Sequence, residues 1–167
     1  PDDHPLARPP CIRFCPADST LEALTIARVR ALRSENVRTV GVIVLAEVYL
    51  GLLKQALAAA SLPLHVLSER GTRMPIDQPV VALATADSVG GQEFDAVVIV
   101  GLELGVFPPN TRGDQTLQEA VEQQAWRATY LATSRARYRV EYLVNKRTNL
   151  AEMLQKARAA GLLNLAN

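Results

Sequence analysis

Aromatic residues are scarce in this 167-residue chain, at 5%. The core is therefore expected to be aliphatic and alanine-rich. The hydrophobic fraction of 49% suffices for a globular fold and excludes a disordered tract. An excess of charge of one sign is also missing, since 18 Lys and Arg face 17 Asp and Glu, for a formal net charge of +1. No general field draws the chain toward nucleic acid or an anionic membrane. Any nucleic-acid contact must be local and rely on backbone donors or a few arginines. Cysteine is limited to Cys11 and Cys15. Four apart in a strand, they point to the same side, too far apart for easy bridging. No second Cys/His pair completes a zinc site, and His4 and His65 are isolated, so no metal site is expected. Neither a signal-peptide pattern nor an apolar run of transmembrane length occurs. A reducing cytoplasm, with no membrane partner, is the expected setting.

What is present is a regular alternation of strand and helix signals. Residues 1–10 carry four prolines and no initial methionine, and read as a linker or a cut end. Cys11 to Phe14 is a short strand candidate. Ser19-Thr20-Leu21-Glu22 forms a capping-box pattern that opens a helix to about Arg33. The β-branched run Thr39 to Leu45 suits a strand buried on both faces. Ala46 to Ala60 reads as a helix with Val48, Leu52, Leu53, Ala56 and Leu57 on one side. Leu64 to Leu67 is a short strand, Ser68 to Pro79 a loop, and Val80 to Ala84 another strand. A Gly-Gly turn leads to the apolar strand Phe94 to Leu102. After a loop to Asp114, a long helix spans about Thr116 to Thr133, with Leu117, Val121, Ala125, Ala128 and Ala132 facing inward. Arg137 to Val144 alternates charged and apolar residues, as in a less buried strand. Asn149 opens a final amphipathic helix to about Ala160. The β-α alternation predicts a three-layer α/β domain with a mainly parallel sheet over residues 11–167.

In such folds ligands gather at the carboxyl ends of the parallel strands. Thr85 to Gly91 leaves one of these ends. Thr85 and Ser88 offer hydroxyls, and Gly90 and Gly91 allow a close backbone approach, which suits a loop that grips phosphate without charge. The plainer alternative is an ordinary Gly-Gly turn with capping hydroxyls. Glu93 and Asp95 are either a solvated loop edge or a source of carboxylate acceptors for ribose hydroxyls. Arg135 and Arg137 close the long helix, where the helix dipole favours cations. Read functionally, they supply a planar guanidinium to charge on a transferring phosphoryl group. Arg127 lies two turns earlier and is a candidate for the same cleft.

These segments together resemble superfamily 1 DNA helicases of the UvrD/Rep type, in the second, C-terminal RecA-like motor domain. Thr85 to Asp95 resembles the family's motif V, usually T-x-H-x-x-K-G-x-E-F-D. Gly101 to Pro108 resembles the G-L-E-E-G-x-F-P loop that follows. Gln124 to Arg137 resembles motif VI, which ends Y-V-A-x-T-R-A-R, and Thr39 to Leu57 has the strand-helix layout of motif IV. The sequence departs from the pattern at Asp87, Gly90, Gln124 and Ser134, and Leu45-Ala46-Glu47 stands where motif IV carries an arginine.

The resemblance implies a RecA-like domain of the P-loop NTPase type that lacks its own Walker A loop, since G-x-x-x-x-G-K-[ST] occurs nowhere in the chain. It also implies ATP and Mg2+ in the parent protein, held mainly by an upstream RecA-like domain. Single-stranded DNA would be the second partner. By position, Arg135 would be the catalytic finger, Glu93 the ribose contact and Arg127 a further ATP contact. Thr85 and Ser88 would meet nucleic acid. The large accessory insertion of many members is missing before motif V. A second reading, motivated by Asp87 and Gly90, is a diverged, non-catalytic helicase-like interaction module.

Overall fold

Seven strands hydrogen-bond side by side, all parallel, in the order β3-β4-β2-β5-β6-β1-β7. In this computed structural model the described residues are 4–67, 74–75, 78–111, 113–145 and 150–166. The strands are β1 Cys11–Phe14, β2 Thr39–Val44, β3 Leu64–Leu67, β4 Val80–Thr85, β5 Phe94–Val100, β6 Ala136–Val144 and β7 Asn164–Ala166. The helices are α1 Leu21–Ser34, α2 Leu50–Ala59, α3 Gln115–Thr133 and α4 Glu152–Ala159. The expected three-layer α/β architecture is thus present. Most of the expected loop 68–79, and Asn149 at the expected start of the last helix, lie outside the described residues.

The pleat sorts alternate residues into two cores. Val40, Val42, Val44, Val81, Leu83, Ala96, Val98 and Val100 pack with Leu21, Val29 and Leu32 of α1 and Leu53 and Leu57 of α2. Ile43, Ala82, Ala84, Phe94, Val97 and Ile99 pack with Ala125 and Ala132 of α3 and Met153 and Leu154 of α4. A strand covered on both faces needs apolar residues throughout, which is why β2 and β5 read as unbroken runs.

Gly41 of β2 makes room for the largest of these core side chains. A Cβ there would meet the Phe94 ring at 2.7 Å, and Phe94 is fully buried. Gly41→Ala is expected to destabilise the domain by about 1–3 kcal/mol through overpacking. A chemical denaturation midpoint unchanged from wild type would contradict it.

Four expectations shift. Thr20, not Ser19, caps α1, its Oγ1 accepting from Ala23 N at 3.2 Å. Glu47–Tyr49 forms a 3-10 turn before α2, which changes the phase and leaves Val48 and Leu52 exposed. On α3 the buried residues are Ala125, Thr129 and Ala132, while Leu117 is exposed. At 19 residues α3 is about 28 Å long. The seven residues of β5 span about 23 Å, less than the length of α3.

The fourth shift is the largest. β6 is not a less buried strand but an interior one, between β5 and β1. Val140 and Tyr142 join the α3–α4 core, as the alternation suggested. The charged face lies under α1, where Glu141 accepts from Arg13 Nε at 2.9 Å and from Arg28 Nε and Nη2 at 2.8 Å. Arg139 Nη1 donates to Glu35 at 2.7 Å. β7, which carries little apolar patterning, was not anticipated.

Candidate functional site

The parallel register defines two edges. Thr85 pairs with Val44, and Val44 with Val100, so all three stand at the carboxyl edge. Phe94 opens β5 and pairs with Ala136 at the amino edge. The six residue steps of β5 between these levels correspond to about 20 Å. Residues 86–93 therefore descend across the sheet. They do so on the α3 side, where Val89 and Phe94 are both buried in the core that α3 and α4 cover. The β4–β5 connection is thus one loop with an end at each edge.

At the carboxyl edge the loop begins with a closed turn. Ser88 Oγ accepts from Thr85 N at 2.9 Å, and Ser88 N donates to Thr85 Oγ1 at 3.3 Å. The two hydroxyls lie 3.1 Å apart. Ser88 is only 7% exposed, so its hydroxyl serves the turn, whereas Thr85 borders an open groove of about 810 Å³. Glu47, Asp87, Phe107, Gln124 and Arg127 also line it. Arg127, the candidate for the same cleft as Arg135, borders this groove with Thr85, and eight residues of helix separate the two arginines by about 12 Å.

At the amino edge the acidic pair divides. Asp95 Oδ2 accepts from Arg38 N at 3.1 Å and Thr39 N at 3.0 Å, and Asp95 N donates to Thr39 Oγ1 at 2.8 Å. Asp95 thereby fastens the start of β5 to that of β2. Glu93 stays at the surface, where Arg137 Nε donates to it at 3.0 Å. Phe94 N donates to the Arg135 carbonyl at 2.8 Å, which brings the end of α3 beside Glu93. The Arg135 guanidinium makes one long contact, from Nε to Leu131 O at 3.4 Å. Glu93, Arg135 and Arg137 thus form one cluster, with a carboxylate acceptor next to two guanidinium groups. The sequence reading grouped the arginines but missed the Glu93–Arg137 pair, which only the register of β5 on β6 reveals.

Glu103 was also missed. It is almost fully buried beyond β5, and its Oε1 accepts from Asn145 N at 2.9 Å. Burial, with the Glu103 carboxylate next in effect, pushes the Tyr49 phenol far above its usual range. Beside this pair, Gly101 at φ 103° lets the backbone pass Ala46, whose N lies 2.7 Å from where a Cβ would stand. Among the described residues no three His, Cys, Asp or Glu side chains converge on a metal position. No helix is long and apolar enough to cross a membrane, among the described residues.

No family model matches the chain, and no curated protein matches it either. Among solved structures the chain is similar to the crystal structure of the C-terminal domain of a possible DNA helicase from Lactobacillus plantarum WCFS1. That match has a TM-score of 0.68 at 19% identity, and covers 96% of this chain and 87% of the other. At that identity the likeness establishes a shared fold, the three-layer α/β arrangement described above.

Proposed function

We propose that this chain is the C-terminal motor domain of an ATP-dependent DNA helicase or translocase. It completes the ATP site of an upstream RecA-like domain and contacts single-stranded DNA. The observation that carries this reading is the single loop with an end in each cluster. Thr85 stands at one edge, and Glu93 with Arg135 at the other. On this reading Glu93 accepts from ribose hydroxyls, and Arg135 reaches phosphoryl charge held by the upstream domain, which also carries Mg2+. ATP supplies the free energy of phosphoryl transfer. This chain's part is to orient the nucleotide and present the guanidinium. The carboxyl-edge groove takes the DNA strand through Thr85 and Arg127, with little sequence preference. Arg127 is thereby assigned to the strand, and Ser88 to holding Thr85.

Glu47 and Asp87 line the same groove. Carboxylates there oppose phosphate, which favours the second reading, a non-catalytic interaction module. ATP hydrolysis by the intact protein, with and without single-stranded DNA, separates the two. Hydrolysis stimulated by DNA is expected. A folded intact protein without turnover would sink the motor reading and leave the module.

A further inference from the structure

Helix α3 borders two grooves. Gln124, Arg127 and Ala128 face the one at the carboxyl edge. Gln118, Glu122 and Trp126 face another, of about 820 Å³, between α3, the start of α4 and the loop before α3. Trp126 is the only tryptophan of the chain, and it is 52% exposed. Leu104, also lining this groove, is 60% exposed. In a chain so poor in aromatics, an indole left in solvent beside an exposed leucine is a candidate anchor for a partner.

Among the described residues the charge around these two is one-sided. Asp114, Glu119, Glu122 and Glu152 line the groove, and Lys156 is its one described cation. Lys156 is tied to Glu152 at 2.8 Å. Glu119 accepts from Gln115 at 3.2 Å and Glu122 from Gln118 at 2.9 Å. Those partners are neutral, so neither hydrogen bond offsets a charge. The whole chain is nearly neutral, so this negative character is local. Phosphate is repelled here. The complement is a cationic polypeptide with apolar residues, in which an arginine stacks on the indole and pairs with the flanking carboxylates.

We propose that this groove docks a basic segment of a partner protein, with an arginine on Trp126 and an apolar side chain against Leu104. The inference does not depend on motor activity. Trp126 itself reports on it, as the sole tryptophan. The 167-residue chain is titrated with a synthetic peptide that alternates arginine and leucine, and indole emission is followed. A saturable change that weakens with added salt is expected. The doubly substituted chain Glu119→Lys, Glu122→Lys should bind about tenfold more weakly, since two exposed ion pairs are lost. Both sites are exposed, so folding should survive, and circular dichroism checks it. The proposal is overturned by any of four results. These are no saturable change, an equal response to the peptide with serine in place of arginine, a stronger response to a single-stranded oligonucleotide, or an emission shift set by the chain's own concentration. The last would mean a second copy occupies the groove.

Discussion

Arg135→Ala in the intact protein is expected to lower ATP turnover by about three orders of magnitude or more while nucleotide binding stays near wild type. The domain is expected to tolerate this change well. The Arg135 group that holds the fold is its backbone carbonyl, which accepts from Phe94 N at 2.8 Å, and alanine keeps that bond. The lost side-chain contact is the 3.4 Å approach to Leu131 O, close to the limit of a hydrogen bond. On the proposed reading, a guanidinium so weakly engaged is available to charge from another domain, where it would stabilise the transition state and not the ground state. A thousandfold loss corresponds to about 4 kcal/mol of that stabilisation. Arg135→Lys should recover only part of it, because an ammonium carries charge without the planar fork. Single-turnover hydrolysis beside a nucleotide-binding titration checks the split. Turnover within a few-fold of wild type would remove Arg135 from the chemistry.

The second large effect concerns stability. Glu141 is 2% exposed, and its carboxylate accepts three hydrogen bonds from Arg13 and Arg28. Glu141→Ala removes the buried carboxylate on which two largely buried guanidinium groups converge. Removing one member of a buried charge cluster costs about 3–5 kcal/mol, against a total of about 5–15 kcal/mol for a domain of this kind. Urea unfolding at neutral pH should show a large drop in midpoint. An unchanged midpoint would mean water reaches the arginines. The same cluster sets a pH dependence. Burial alone would raise the Glu141 carboxyl, but Arg28 and Arg13 outweigh it and hold it below its ordinary value of 4.5. The unfolded chain therefore takes up the proton first as pH falls. The contribution is complete above that ordinary value, and is lost as pH drops through the lower folded one. Acid unfolding of wild type and Glu141→Gln should converge there.

The central strands were legible because burial on both faces demands β-branched runs, as in Val40 to Val44 and Ala96 to Val100. β6 was not, since a charged alternation means solvent unless partners exist, and Arg28 lies 113 positions from Glu141. For the same reason Glu93 and Asp95 looked alike. Only the return of β2 beside β5 turns Asp95 into a backbone anchor and leaves Glu93 exposed. Helical spacing put Arg127 two turns before Arg135, but it could not show that Arg127 borders the groove that Thr85 lines. The amino-edge cluster was thus largely readable, and the makeup of the carboxyl-edge groove was not.

β1 lies between β6 and β7, so the first strand of the chain is completed by two of the last. β1 can find its first neighbour only after β6, which ends at Val144, has been made. Until then Cys11 to Phe14 waits as an unpaired edge, exposed to association with other nascent chains. Pairings this distant in sequence also make for slow assembly. Chains stalled before Val144 should depend on holding factors during synthesis far more than chains that have passed Ala166.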